Sequence, residues 1–234
     1  MTIDTTYRTE EDEIMDDFSL KGEELRDALD KIAAINQFLG GNKLTLQGVK
    51  KLICTKEEIT IVDVGCGNGD MLRALANFGI KNNLKFNLIG IDANVFTIDY
   101  AHKLSIEYEN ISYQCEDIFN KAFSEIKYDI VLCTLTLHHF KNNQIEYLIQ
   151  LFKKQARVGI VINDLHRNII AYRAFQLICF FFKLNKMSKE DGLVSILRGF
   201  KKQELVNFAE INKLKNYSIK WKWAFRYQWI IKIS

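Results

Sequence analysis

Apolar positions along the 234-residue chain fall into two rhythms. Leu25, Leu29, Ile32, Ile35 and Leu39 recur at helical spacing after Ser19, a residue type that caps helices, and Gly40-Gly41 supplies a stop. A second short helix is predicted from Thr45, as its cap, to Ile53. Short runs rich in β-branched residues then take over at 59–64, 86–91, 111–115, 128–134 and 158–163, with helical segments at about 70–78 (ended by Gly79), 95–108 and 144–155. The run 128–134 is apolar almost throughout, as in a strand covered on both faces. Strands alternating with helices predict βαβ units and a parallel sheet with right-handed crossovers. The close differs. Ile219, Trp221, Trp223 and Phe225 alternate with Lys220, Lys222, Ala224 and Arg226, and Tyr227 to Ile233 follow, so the last two strands are expected to pair antiparallel across a turn near 224–226.

The decapeptide IVDVGCGNGD, residues 61–70, carries the chemistry. Ile61, Val62 and Val64 lead a strand into Gly65, Gly67 and Gly69, where a ligand can lie against bare backbone. A dinucleotide fingerprint G-x-G-x-x-G would need a glycine at position 70, where this chain has Asp70. Acidic flanks repel a pyrophosphate. They suit a ligand that carries an ammonium and a sulfonium, which describes S-adenosylmethionine.

Asp63-x-Gly65-x-Gly67-x-Gly69 resembles motif I of the class I S-adenosylmethionine-dependent methyltransferases, and the chain is most similar to the small-molecule type related to quinone-biosynthesis enzymes. The resemblance implies an α/β, Rossmann-like, seven-stranded, mostly parallel sheet in the order 3-2-1-4-5-7-6. It implies an acidic, helical N-terminal appendage (1–57) and a methyltransferase domain (58–234) with a cap insertion at 166–200. The donor is then held by Asp63, Gly65, Cys66 and Gly67, and by Asp92, which lies 92 − 69 = 23 residues past the last glycine. Asp92 would take the ribose hydroxyls, with helix capping as the alternative. Ala93 and Asn94 would line the adenine, Asp117 would accept from its amine and Ile118 would pack on the ring. Simple capping is the competing role for Asp117. Thr134, ending the fourth strand, would pass near the reacting sulfur.

Methyl transfer is an in-line displacement, so the protein chiefly aligns the reactants and excludes water, and no metal is obligatory. A phenol, enol or amine acceptor needs a base active near neutral pH, which favours histidine. His138 and His139 follow the fourth strand, as either structural or catalytic residues. His166 follows the fifth, in Asn163-Asp164-Leu165-His166-Arg167. His166 as base oriented by Asp164, with Arg167 binding an acceptor anion, competes with a structural Asp–Arg pair at a helix start. Tyr172, Phe175, Ile178 and Phe182 form a helical stripe that is either core or a cap over a greasy acceptor. Arg198, in Arg198-Gly199-Phe200, resembles an element near the family's pocket.

Composition narrows the acceptor. The chain has no proline, which excludes the Asn/Asp-Pro-Pro-Tyr/Phe motif of many nucleic-acid amino methyltransferases, and a net charge of +3 does not call for a polyanion. Residues 1–30 nevertheless hold 11 acidic and 3 basic side chains, either a solvated helix face or a docking or lid segment. Five cysteines without C-x-x-C or zinc spacing point to reduced thiols of a cytoplasmic protein. The greasy stretch 169–184 is broken by Arg173 and Gln176, too short for a membrane span, although transient contact with a membrane surface is open. The expected function is methyl transfer to a small aromatic or lipophilic acceptor, at oxygen ahead of carbon, leaving S-adenosylhomocysteine. The competing readings are a catalytically silent donor-binding partner subunit and a nucleic-acid methyltransferase.

Overall fold

The computed structural model describes residues 3–53, 58–120, 123 and 126–233. Seven strands form one sheet: β1 (Ile59–Val64), β2 (Phe86–Asp92), β3 (Ile111–Cys115), β4 (Tyr128–Thr134), β5 (Ala156–Leu165), β6 (Tyr217–Lys222) and β7 (Arg226–Lys232). Their order is β3-β2-β1-β4-β5-β7-β6, with β1 to β5 parallel and β7 antiparallel to both β5 and β6. The helices are α1 (Glu23–Phe38), α2 (Gly41–Lys50), α3 (Asp70–Asn82), α4 (Val95–Leu104), α5 (Asn142–Gln155), α6 (Ile169–Phe181), α7 (Lys186–Arg198) and α8 (Lys202–Ile211). No helix among the described residues is long and apolar enough to cross a membrane.

Burial explains the runs. Ile130 to Cys133 in β4 are fully buried, because α5 and α8 cover one face of the sheet while α2, α3 and α4 cover the other. Along β1, Val62 and Val64 join the first of these cores and Ile61 the second, the alternation a two-residue period requires. Each such side chain contributes about 1.5–3 kcal/mol on leaving water. A third, smaller core joins Leu25, Ala28 and Leu29 of α1 to Met187 of α7, so the N-terminal helix packs over the rim of the sheet.

Several boundaries differ from the sequence reading. Gly22, not Ser19, caps α1, and the Ser19 hydroxyl donates instead to Asp17. Gly40, with φ +77°, both ends α1 and starts α2, so Thr45 lies inside a helix. Its buried hydroxyl faces Thr134 at 3.2 Å and accepts from Asn163. α3 runs through Gly79 to Asn82 and closes at Asn83 in the left-handed region; Gly79 is small because the Phe86 ring packs on it. α4 stops at Leu104, four residues before the expected Tyr108. β5 continues through Asn163 and Asp164 because β7 pairs with them, Asn163 opposite Gln228 and Leu165 opposite Arg226.

Candidate active site

The strand order reverses between β1 and β4, and there the carboxyl ends of the strands open into a cavity of about 1250 Å³. β1 feeds the loop Gly65–Gly69, whose three glycines have φ of +70°, +52° and +78°. Their reasons for being glycine differ. A Cβ on Gly65 would lie 2.4 Å from the Thr136 side chain, and one on Gly69 would lie 2.0 Å from the Tyr113 hydroxyl. On Gly67 it would meet only Leu29, at 3.9 Å, so this peptide is the one that faces open cavity.

Three carboxyls surround that bare backbone. Asp63 is 2% exposed, with an Oδ1 that has no hydrogen-bond partner. Burial, then repulsion from Asp70 and Asp92, pushes its pKa far above the usual carboxylate range. Asp70 is raised by burial against the opposing hydrogen bond from Asn42 at 2.8 Å. Burial also raises Asp92, although Gly67 N–H (3.2 Å) and Asn94 N–H (3.1 Å) donate to its two oxygens. No salt bridge neutralises any of the three among the described residues. A cationic ligand resting on Gly67 would relieve this crowding. On the same wall, Cys66, Ala93, Asn94, Asp117, Ile118 and Thr134 reach the cavity.

Opposite the loop, β4 exits into a short 3-10 turn, Leu137–His139. His138 is buried, with Nδ1 2.6 Å from Asp164 Oδ1 and its backbone N–H donating to Asp164 Oδ2. Burial alone would lower its pKa, but attraction to Asp164 and then Glu13 outweighs that and lifts it to about 9. His139 is partly open to the cavity, with Nδ1 2.7 Å from Asp16 Oδ1. An Nδ1–H held by a carboxylate leaves Nε2 of the neutral ring as a proton acceptor. Burial raises the Asp16 carboxyl, yet the hydrogen bonds from His139 and Arg198 prevail and hold it below the usual range. Glu13, His138 and His139 each offer a ligand atom within 4.8 Å of the others, a spacing a metal could bridge, but Arg198 Nη1 already sits 3.8 Å from Glu13 Oε1.

The family model described as "Methyltransferase domain" matches residues 55–224. The chain belongs to this methyltransferase family. A ubiquinone biosynthesis O-methyltransferase of Coxiella burnetii (strain RSA 331 / Henzerling II) is 27% identical over 177 residues, spanning 74% of this chain and 70% of that protein. In fold, the methyltransferase is similar to the plantazolicin methyltransferase BpumL, solved with S-adenosylhomocysteine: TM-score 0.59, 19% identity, 88% of this chain and 85% of that one. It is also similar to the magnesium protoporphyrin IX methyltransferase ChlM from Synechocystis PCC 6803, at TM-score 0.54 and 16% identity over 82% of both chains.

Within this methyltransferase the polar cluster after β5 is arranged differently from the sequence expectation. Asp164 does not orient His166; its oxygens are taken by His138 and the Leu165 N–H. His166 Nδ1 instead accepts from Trp221 Nε1 at 3.2 Å, which puts the neutral ring's proton on Nε2. The donors of Arg167 are taken by protein: fully buried, it pairs with Glu204 at 2.6 Å and donates to the Gly199, Thr5 and Thr6 carbonyls. The acid beside Arg167 is Glu204 and not the Asp164 of the expected Asp–Arg pair. Arg198 reaches the cavity, yet its donors go to Asp16 and to the His138 and His139 carbonyls, so it fastens the histidine turn. Tyr172 lies off the cavity wall, which α6 builds from Ala171, Ala174, Phe175 and Ile178.

The acidic N-terminal segment packs against the histidine turn. Glu13 is 6% exposed, and Asp16, Glu13 and Arg8 all grip the histidine turn, Arg8 through the His138 and Phe140 carbonyls. Asp191 of α7 anchors the segment by accepting from the Ile14 and Met15 N–H groups. In the sequence this segment showed as an excess of acid before residue 30, read as a solvated face or a docking or lid segment. Of the cysteines, Cys66, Cys133 and Cys179 are buried and Cys115 is exposed, while Cys54 lies outside the described residues.

Proposed function

We propose that the protein transfers a methyl group from S-adenosylmethionine to an oxygen of a small aromatic or lipophilic acceptor. The donor supplies a methyl carbon already activated by a sulfonium. The residues present fit it: Gly67 offers open backbone, Asp63 and Asp70 favour positive charge beside it, and Asp92 keeps lone pairs free for ribose hydroxyls. Asp117 and Ile118 would hold the adenine. One observation carries the chemistry: His139, its Nδ1 fixed by Asp16, faces the same cavity as the glycine loop. In that geometry His139 Nε2 takes the acceptor's hydroxyl proton, while the His138–Asp164 pair holds the turn rigid. Phe175 and Ile178 exclude water from the acceptor end. Leu177, Phe180 and Phe181 leave an exposed apolar strip on the outside of α6, in keeping with a lipophilic acceptor. The Coxiella burnetii relative, an O-methyltransferase by name, supports oxygen over carbon. Residues 1–57 then serve as an appendage over the 58–234 domain, with 166–200 as the cap.

Labelled donor and a panel of phenols and enols test the reading, with the methylated atom identified by NMR. His139→Gln is expected to lower kcat by roughly 10²–10⁴-fold while S-adenosylhomocysteine binds as before. Undiminished turnover in that variant would remove His139 as base, and methyl found on carbon would overturn the oxygen assignment.

A further inference from the structure

Among the described residues, the buried arginines Arg167 and Arg198 are satisfied by protein, and Arg226 is not. Arg167 is paired with Glu204 and three carbonyls, and Arg198 with Asp16 and two carbonyls. Arg226, the first residue of β7, is 3% exposed, yet its Nε and Nη1 have no hydrogen-bond partner. Its side chain lines the cavity, on the side where α1 hands over to α2: a Cβ built on Gly41 would touch both Asn36 and, at 3.0 Å, Arg226 Nη1. Asp70 and Asp164 act on it only through space. A buried guanidinium with unmet donors is costly, and the cost is removed by an anion that fills them. Arg226 lines that cavity, so an anion that reaches its guanidinium from there would be part of a bound ligand.

We propose that Arg226 is the anion-binding residue of the cavity and that its ligand is a carboxylate. Two molecules could bring one: the donor, through its amino-acid end, since Asp70 of the glycine loop is nearby, or an acid acceptor, since Trp223, Ala224 and Phe225 border the same space. An arginine fork matches a carboxylate in charge and planarity, and such bonds are about twice as strong as neutral ones. The proposal rests on the methyl-donor reading only for the first source.

Calorimetry with two pairs of probes separates the sources. S-adenosylhomocysteine is compared with 5′-methylthioadenosine, which lacks the amino-acid end; 4-hydroxybenzoate is compared with 4-hydroxybenzamide, each with and without S-adenosylhomocysteine. Under the proposal Arg226→Met weakens one carboxylate probe at least tenfold and leaves its uncharged counterpart unchanged, and Arg226→Lys recovers part of the loss. Loss confined to S-adenosylhomocysteine assigns the donor; loss confined to 4-hydroxybenzoate assigns the acceptor. Should Arg226→Met fail to fold, the preference for S-adenosylhomocysteine over 5′-methylthioadenosine and for 4-hydroxybenzoate over its amide, measured in wild type and in Arg226→Lys, carries the same information. Equal binding of all carboxylates by wild type and variant overturns the proposal. If wild type binds neither adenosine probe, the donor reading fails, and the hydroxybenzoate pair without cofactor still decides the role of Arg226.

Discussion

Asp92→Ala should cost donor affinity in an amount that the structure bounds. A carboxylate offers about four lone-pair positions, and here two are used, by Gly67 N–H and Asn94 N–H. The remaining positions are available to a vicinal diol, with Gly67 N–H holding the loop in place beside them. Hydrogen bonds to a charged group are worth roughly 1.5–3 kcal/mol each, net of water, so two would give about 3–6 kcal/mol. Burial raises the Asp92 pKa and takes back part of that gain. The expected loss is therefore roughly 1.4–3 kcal/mol, a tenfold to 150-fold rise in the Kd of S-adenosylhomocysteine. Calorimetry with an analogue lacking both ribose hydroxyls completes the cycle: wild type should lose about as much as the variant does, and the variant should be indifferent to the change. Because the ionised carboxylate is the acceptor, wild-type affinity should also fall as pH drops through the raised pKa, and the alanine variant should show a smaller fall, that left by Asp63 and Asp70. Additive losses in the cycle would refute a contact between Asp92 and the ribose.

The His138–Asp164 pair makes stability depend on pH. The folded pKa of His138 is about 9 against an ordinary 6.5, so its contribution, roughly 3 kcal/mol, is fully present below pH 6.5 and is lost as pH rises through 9. Urea unfolding should show a lower midpoint at pH 9 than at pH 6.5, and Asp164→Asn should flatten that dependence; an unchanged slope in the variant would contradict the pairing. Arg167→Met should destabilise the fold by about 3–5 kcal/mol, since it strands the partly buried Glu204, with S-adenosylhomocysteine bound as before. A weakened donor or acceptor with intact stability would return Arg167 to the ligand site.

The sequence by itself determined what depends on neighbours in the chain. The period of apolar residues marks strands and helices, and the strand–glycine–acid run at 61–70 marks the loop, because strand, turn and helix start are all local. Alternating strands and helices implied a parallel sheet with an antiparallel last pair, while the strand order came from the family resemblance that the run at 61–70 carries. Tertiary structure alone decided which polar groups meet. Asp164 lies two residues from His166 but bonds His138, because β7 draws Asp164 into the sheet beside the turn that leaves β4. Asp16 reaches His139 across 123 residues of chain, and Arg167 reaches Thr5 across 162. Arg226 looked in the sequence like the outward half of an alternating strand; it is buried because α1 and α2 cover the sheet's rim at β7, and no local pattern records that packing.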